Sequence, residues 1–352
     1  MHTVKLKSSG RQFSVAPGET VLEAAQRAGV ALPYSCRAGV CGSCKATLLQ
    51  GQCVYPRNPP LALNAGELAH HAVLLCQAVP TSDLLLEARA VTSVEDIARR
   101  QLGMVVSEKW RLASDVIGVR LFPAAGERRL KRLAGQYLDV LLEDGRRRPF
   151  SIANSPQADG MIELHVRHVP GGGFTSWVND ELQVGDRLRV EGPLGTFVPR
   201  EDSERPMLFV AGGTGFAPIR AIVEHFIVLG TRRRIDVYWG ARSAADLYLR
   251  EQAEHWQREL PHLAFHPVIA ERRHADGLRT GLVHEAVLAD HADLSGHDLY
   301  MSGPPAMVDA GHPAFLAAGL PEDRLYYDSF EYAPDVLVEI IAARAGIHDH
   351  PL

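Results

Sequence analysis

The chain has 352 residues, 46% of them hydrophobic and 22% charged, with a formal net charge of −5. This length predicts two or three domains, and the composition is typical of a globular protein. The charge gives no indication of nucleic-acid binding. No apolar run approaches the roughly 20 residues of a membrane span, and the first residues lack the basic and apolar blocks of an export signal.

The N-terminal segment has the pattern of a small mixed α and β fold. Residues 4–7 and 12–15 alternate between polar and apolar types around a glycine turn, which indicates a β-hairpin. Thr20 is a suitable N-cap for a helix that runs to about residue 28, where Gly29 would end it.

Four cysteines follow with the spacing C-x4-C-x2-C, a long gap, and C. This is the plant-type spacing for a [2Fe–2S] cluster, in which four thiolates hold two irons. A zinc site would more often pair C-x2-C units or histidines, and a disulfide framework would suit a short secreted chain. The fifth cysteine, Cys53, is interpreted as a small hydrophobic residue without a ligand role. The predicted ligands are Cys36, Cys41, Cys44 and Cys76.

The middle of the chain contains short strand-like runs separated by turn residues. Such regularly spaced runs predict a small antiparallel barrel over residues 96–203. The runs are residues 116–121, 137–142, 162–167 and 187–192.

After residue 204 the pattern changes to alternating strands and helices. A continuous apolar run at 206–211 leads into a glycine-rich turn, a helical pattern at 219–229 and a second strand at 235–239. This alternation predicts a parallel α/β sheet.

Two short motifs of the middle segment resemble the R-x-[YF]-S and G-x-x-S motifs of the ferredoxin-NADP reductase superfamily. They are residues 148–151 and 173–176. The resemblance implies that Arg148 binds the flavin pyrophosphate, for which its fork of donors is suited. It places Phe150 against the flavin and Ser151 near the flavin N5. The other cofactor-binding residues that it implies here are Pro149, His165, Val166, Gly172, Gly173 and Ser176.

The Arg148 motif has an alternative interpretation, because three arginines stand in a row at residues 146–148. Charge runs are usually solvated. The neighbouring motifs favour the flavin interpretation.

The glycine-rich turn at residues 213–218 resembles the G-T-G-x-A-P motif of the pyridine-nucleotide lobe in the same superfamily. It ends in proline, so it departs from the usual Rossmann G-x-G-x-x-G. The resemblance implies that the backbone at Gly213, Thr214 and Gly215 approaches the nucleotide pyrophosphate. Pro218 is predicted to be the first helical residue. A strand-to-helix turn without a ligand is the alternative.

A third motif, at residues 301–307, resembles the family's C-G-P-P-x-M. Ser302 stands where the family has cysteine near the nicotinamide, and its hydroxyl can still contact that ring. Gly303 and Pro304 would also contact the nucleotide, although Gly-Pro-Pro turns without a ligand are common. The resemblance thus makes Ser151 and Ser302 the residues nearest the reacting atoms.

Two further residues, Arg242 and Phe330, are expected to lie near a cofactor. Arg242 follows the second strand of the parallel sheet, where a cation favours a 2′-phosphate. Arginine also occurs there in family members that use NADH, and the sequence is interpreted as favouring NADH over NADPH. Phe330 falls where the family places an aromatic residue beside the flavin, and a core phenylalanine is the alternative.

Together the motifs resemble the three-domain reductases that serve bacterial oxygenases, and those of CDP-deoxyglucose dehydration. The resemblance implies a β-grasp [2Fe–2S] ferredoxin domain at 1–95, an antiparallel barrel that binds FAD at 96–203 and an α/β NAD(P)H domain at 204–330. Residues 331–352 are an extension of unknown role. Hydride would pass from NAD(P)H to FAD, and single electrons would pass through the cluster to a separate acceptor.

The acceptor is expected to be an oxygenase that docks near the cluster loop, at residues such as Arg37 and Val40. A sugar dehydratase is the alternative acceptor, and a slow redox sensor or a direct reductase of small molecules are alternative functions. Free thiolates suit a reducing compartment, so the protein is predicted to be cytoplasmic, and a monomer is expected.

Overall fold

A computed structural model of the chain describes residues 1–57, 60–88, 97–158, 160–170, 173–271 and 277–330. Gly172 and the extension at 331–352 therefore lie outside the described residues. Two compact units are present, the first made of residues 1–98 with 195–197 and the second made of the rest. No helix in the described ranges has the length and apolar character needed to cross a membrane.

The first unit is a five-stranded mixed sheet with one main helix, as the β-grasp prediction requires. Strand β1 (His2–Leu6) pairs antiparallel with β2 (Gln12–Val15), which confirms the hairpin, and parallel with β7. The sheet order is β2-β1-β7-β3-β5, and β4 pairs with β6. The remaining elements are α1 (Val21–Arg27), β3 (Lys45–Gln50), β4 (Cys53–Val54), α2 (Ala65–Ala69), β5 (Ala72–Leu74), β6 (Val79–Pro80) and β7 (Leu84–Glu87).

Helix α1 begins where the sequence predicts. The Thr20 hydroxyl accepts from Glu23 N at 3.2 Å, and Thr20 N donates to the Glu23 carboxylate at 2.9 Å. In this capping box each side chain accepts from the backbone N–H of the other residue, so two backbone donors at the start of the helix are satisfied. Gly29 adopts φ 70° just beyond the helix, which is the left-handed conformation that glycine tolerates.

The second unit begins with a six-stranded antiparallel sheet in the order β11-β10-β13-β8-β9-β12. Its edge strands approach each other through one bridge, Ile152 to Leu164, rather than a full ladder. The elements are β8 (Arg100–Ala113), β9 (Val116–Pro123), β10 (Tyr137–Leu141), β11 (Arg147–Ser151), β12 (Ile162–Arg167), α3 (Gly173–Asp180) and β13 (Arg187–Leu194).

The same unit continues with a six-stranded parallel sheet in the order β17-β16-β15-β14-β18-β19. Its central strand β14 is buried at every position, as expected of a strand in a parallel sheet. The elements are β14 (Met207–Gly212), α4 (Phe216–Val228), β15 (Ile235–Ala241), α5 (Arg250–Glu259), β16 (Leu263–Ile269), β17 (Arg279–Thr280), α6 (Val283–Asp290), β18 (Asp298–Gly303), α7 (Pro305–Ala317) and β19 (Leu325–Ser329).

The glycine turn at Gly213–Gly215 and the residues around Ser302 meet at one edge of the parallel sheet. They do so because β14 and β18 are parallel neighbours in which Ala211 lies opposite Ser302, and parallel strands end at the same edge. One prediction is corrected here. Helix α4 begins at Phe216, so Pro218 is its third residue rather than its first.

The backbone at Gly215 lies directly against β18. A Cβ at this position would overlap the carbonyl oxygen of Ser302. Backbone atoms on both sides cannot move aside as a flexible side chain would, so only glycine fits there.

We expect Gly215→Ala to lower the free energy of unfolding by about 3 kcal/mol, because it forces the glycine turn away from β18. Thermal unfolding of the purified protein measures this. The matched control is Gly296→Ala, since a Cβ at Gly296 meets nothing within 4 Å. Equal melting temperatures for the two variants would contradict the close packing described here.

Candidate functional site

The loop between α1 and β3 carries three of the four predicted cluster ligands. Its backbone adopts left-handed conformations at Arg37, Gly39 and Gly42, with φ of 59°, 81° and 76°. A non-glycine residue in this region is uncommon and occurs chiefly where function requires it. The turns direct amides inward, and Ala38 N donates to Cys36 Sγ at 3.3 Å.

The four thiols lie in two hydrogen-bonded pairs. Cys36 pairs with Cys41, and this hydrogen bond, together with backbone amides, lowers the pKa of Cys36 to about 6 although burial opposes it. Cys44 pairs with Cys76, and this pairing together with burial raises the pKa of Cys44. Two pairs of thiols suit two irons, with one pair for each iron.

The zinc alternative would pair cysteines with histidines, and His70 and His71 are the histidines nearest to Cys76 in sequence. His70, which the zinc alternative would use, instead places Nδ1 2.8 Å from its own helix carbonyl at Gly66. The donor set therefore fits a [2Fe–2S] cluster better than zinc.

Residues from outside the loop hold it in place. The Gln77 side chain donates to Arg37 O at 2.8 Å, and Ala62 N donates to Gly39 O at 3.1 Å. Cys53 lies elsewhere, on β4, where it packs half-buried against the core of the first unit. Its position agrees with a packing role.

The three consecutive arginines have different surroundings, which argues against a uniformly solvated run. Arg146 is exposed and pairs with Asp144 at 2.7 Å, while Arg147 pairs with Glu191 at 3.1 Å. Arg148 is only 7% exposed. A buried guanidinium at the predicted position fits an anionic group such as a pyrophosphate.

The two predicted flavin motifs come together in the second unit. On β11, Phe150 lies opposite Leu138 and Ser151 lies opposite Tyr137. The Phe150 ring is 5.6 Å from that of Phe174, in the first turn of α3. On the same helix, Ser176 Oγ lies 3.1 Å from His168 Nε2. Gly173 begins α3, and Pro149 is exposed between Arg148 and Phe150.

His165 and Val166, both predicted to bind a cofactor, have side chains that are already engaged. Val166 packs in the core of the antiparallel sheet. His165 is buried, with Nε2 3.0 Å from Glu163 Oε1 and Nδ1 3.1 Å from Tyr248 Oη. Any contact with a cofactor would therefore come from their backbone.

Trp239 holds the glycine turn in place at the edge of the parallel sheet. Trp239 Nε1 donates to Gly213 O at 2.9 Å, and its ring stacks on Phe216 at 3.8 Å. Gly213 has φ 54°, and Thr214 is half-buried in the same turn. Trp239 thus contacts the turn at Gly213, and Arg167 Nη2 would lie 3.6 Å from a Cβ at the same residue.

The backbone carbonyl of Ser302 lies against Gly215 of this turn. Ser302 is fully buried, and its hydroxyl has no hydrogen-bond partner in the part of the chain that the structure describes. A buried hydroxyl without a partner is costly unless a ligand satisfies it. Pro304 is the N-cap of α7, and Phe330 N donates to Gly303 O at 2.9 Å, which brings Phe330 beside the motif. These residues fit a nicotinamide nucleotide.

Arg242 is 71% exposed and is flanked by two carboxylates, with Asp246 at 3.7 Å and Asp115 at 3.8 Å. Ser243, the next residue, is less available to bind a phosphate than Arg242. Its backbone N and its hydroxyl both already donate to Asp246 Oδ2 at 3.0 Å.

Glu163, Arg220 and Tyr248, which surround His165, were not predicted from the sequence. They come from β12, α4 and the segment before α5, so only the tertiary fold brings them together. The available signal was the alternation of the polar residues Glu163, His165 and Arg167 with apolar residues along β12.

Three family models match consecutive parts of the chain. They are a 2Fe-2S iron-sulfur cluster binding domain over residues 4–81, an oxidoreductase FAD-binding domain over 103–198 and an oxidoreductase NAD-binding domain over 209–312. Their order agrees with the order predicted from the motifs.

Curated relatives match nearly the whole chain. The CDP-6-deoxy-L-threo-D-glycero-4-hexulose-3-dehydrase reductase of Yersinia pestis is 36% identical over 93% of this chain and 98% of its own. The reductase component 1 of terephthalate 1,2-dioxygenase from Comamonas is 34% identical over 95% of this chain and 98% of its own. Among solved structures, an Amycolatopsis cytochrome P450 reductase has a TM-score of 0.74 and 34% identity, and the match covers 94% of this chain and 99% of the other.

We expect Cys76→Ser to abolish cluster binding, because it leaves one iron with a single thiol of its pair. Iron should fall from about two atoms per chain to near zero, while flavin content stays unchanged. Iron and flavin analysis of anaerobically purified protein measures both. Cys53→Ser is the control and should keep its iron, whereas iron loss in that variant would contradict the ligand set.

Proposed function

Since this chain belongs to the three-domain iron–sulfur flavoprotein reductases of the ferredoxin-NADP reductase superfamily, we propose that it carries electrons from NADH to a separate oxygenase. The order is NADH, FAD, the [2Fe–2S] cluster and the acceptor. The observation that supports it most directly is the presence in one chain of two thiol pairs and a glycine turn against an unpartnered buried hydroxyl. We assign the ferredoxin, flavin and nucleotide domains to residues 1–95, 96–203 and 204–330.

FAD, when bound, accepts electrons in a pair and releases them singly, which links a hydride donor to a one-electron cluster. The side chains bind and orient. Arg148 would hold the flavin pyrophosphate, Phe150 would lie against the flavin and Ser151 would donate a hydrogen bond to it. The Gly213–Gly215 backbone would bind the nucleotide, and the Ser302 hydroxyl would donate a hydrogen bond to the nicotinamide. Hydride transfer needs no protein general base, so these residues act through position and hydrogen bonding.

The surroundings of Arg242 support NADH as the nucleotide. Its guanidinium already has Asp246 at 3.7 Å and Asp115 at 3.8 Å. These carboxylates offset the charge of Arg242, which weakens its attraction for a 2′-phosphate. The free ribose hydroxyl of NADH does not need that attraction.

A sugar dehydratase is a second candidate acceptor, favoured by the 36% identity to the Yersinia pestis dehydrase reductase. Either acceptor would dock at the cluster loop, where Arg37 and Val40 are partly exposed. Five free cysteines among the described residues support a reducing, cytoplasmic location. We further propose that the protein acts as a monomer.

Mixing the holoprotein with one equivalent of NADH under anaerobic conditions tests this function. Both the flavin and the cluster absorbance should bleach within one turnover, and NADPH should react at least tenfold more slowly. Flavin bleaching without cluster bleaching would favour a direct reductase of small molecules. Bleaching over many minutes would favour a redox sensor, and a tenfold preference for NADPH would overturn the choice of nucleotide.

We expect Arg37→Glu to slow electron delivery to the acceptor protein about tenfold while flavin reduction by NADH keeps its rate, because a charge at an interface rim mainly controls association. Stopped-flow measurements of the two steps, with a purified oxygenase or dehydratase as acceptor, separate them. Arg11→Glu serves as the control, because Arg11 is an exposed residue in the turn before β2. Equal slowing of both steps by Arg37→Glu would contradict docking at this loop.

A further inference from the structure

The carboxylate of Glu163, on the antiparallel sheet, accepts hydrogen bonds from three side chains. Glu163 Oε1 accepts from Arg220 Nη1 at 2.5 Å and from His165 Nε2 at 3.0 Å, while Oε2 accepts from Arg120 Nε at 3.4 Å. The Glu163 side chain is 4% exposed. Burial opposes its ionisation, but His165 and Arg220 outweigh burial and lower its pKa to about 2. Glu163 is therefore an ionised, buried group that ties β12 to Arg220 of α4.

The second arm of this network runs through His165 to Tyr248. His165 Nδ1 lies 3.1 Å from Tyr248 Oη, and the two rings meet edge to face at 5.3 Å. Burial lowers the pKa of His165 and raises the pKa of Tyr248, so the imidazole is neutral and the phenol keeps its proton. The Tyr248 hydroxyl then donates to Nδ1, and the Nε2 proton is donated to Glu163.

Tyr248 in turn contacts the residue that supports the glycine turn. Its ring meets that of Trp239 edge to face at 5.1 Å. Trp239 donates to Gly213 O at 2.9 Å and stacks on Phe216 at 3.8 Å. A continuous path of contacts therefore joins Glu163 to Gly213, where the glycine turn begins, and to Phe216, which directly follows the turn.

We propose that Glu163 is a positioning residue for hydride transfer, holding the glycine turn in a fixed place relative to the antiparallel sheet. The inference rests on the proposed function, in which the turn binds the nucleotide and the antiparallel sheet binds the flavin. Hydride transfer depends steeply on the separation of donor and acceptor, and a displacement of 1 Å can cost about 100-fold in rate. The turn packs against β18 of its own sheet at Gly215, and the network supplies the further constraint toward the antiparallel sheet.

Two contacts of the network, those made by Glu163 and by Tyr248, can be removed separately by mutation. Glu163→Gln keeps the size of the side chain but removes the charge that holds Arg220 and His165. Tyr248→Phe keeps both ring contacts and removes only the hydroxyl that donates to His165. A surface pair on α5, Arg250 with Glu254 at 2.6 Å, supplies a matched control, because Glu254→Gln removes the same kind of charge away from the network.

The test measures two properties of the holoprotein: the limiting rate of flavin reduction at saturating NADH under anaerobic conditions, and amide hydrogen exchange over residues 212–216. In Glu163→Gln the limiting rate should fall about tenfold and exchange in the turn should accelerate. Flavin content and the reduction of flavin and cluster by dithionite should match the wild type. Tyr248→Phe should change both properties in the same direction by about threefold, and Glu254→Gln should change neither.

A wild-type limiting rate and wild-type exchange in Glu163→Gln would overturn the proposal, even if the melting temperature falls, because the residue would then be only structural. If Glu163→Gln does not fold, an unchanged rate in Tyr248→Phe overturns it. Failure of the proposed function gives a different result, since the wild-type flavin itself would not be reduced by NADH.

Discussion

The pairing of four thiols, three from a tightly bent loop and the fourth from Cys76, is the constraint on which the rest of the chain depends. Cys36 reaches Cys41, and Cys44 reaches Cys76, because the loop backbone turns through left-handed conformations and Gln77 holds it. A site of this kind accepts one electron at a time, whereas NADH delivers a hydride. The second unit must therefore hold a cofactor that can accept two electrons and release one.

The two sheets of the second unit divide that task between them. The antiparallel sheet places a buried arginine next to an aromatic group and the start of a helix, which suits a flavin. The parallel sheet brings the glycine turn and Ser302 to one edge because β14 and β18 are neighbours. Glu163 and its partners join these two parts of the second unit, so precise placement depends on buried polar contacts as well as on the strands.

Much of this arrangement was predictable because it follows local chemistry. The capping box at Thr20, the hairpin and the apolar strand β14 each have a short sequence signature that the structure confirms. Strand β8 was missed because its 14 residues mix charged and apolar types along much of their length. The start of α4 was misplaced because a turn at Gly213–Gly215 leads directly into the helix before Pro218.

Tertiary features were less accessible from the sequence. Arg146 pairs with the nearby Asp144, but the contact of Arg147 with Glu191 on β13 and the burial of Arg148 depend on the tertiary fold. The network around Glu163 joins residues as far apart in the chain as Arg120 and Tyr248, so no spacing rule could find it. The sequence identified the chemistry at each site, and the fold determines which of those side chains are buried, paired or left without a partner.

Electron paramagnetic resonance of anaerobic protein, frozen shortly after mixing with NADH, measures directly whether electrons from NADH reach the cluster. We expect a rhombic signal from a reduced [2Fe–2S] cluster, in an amount that approaches the flavin content and matches the signal produced by dithionite. Colourless, iron-free protein, or a cluster that dithionite reduces and NADH does not, would contradict the proposed function.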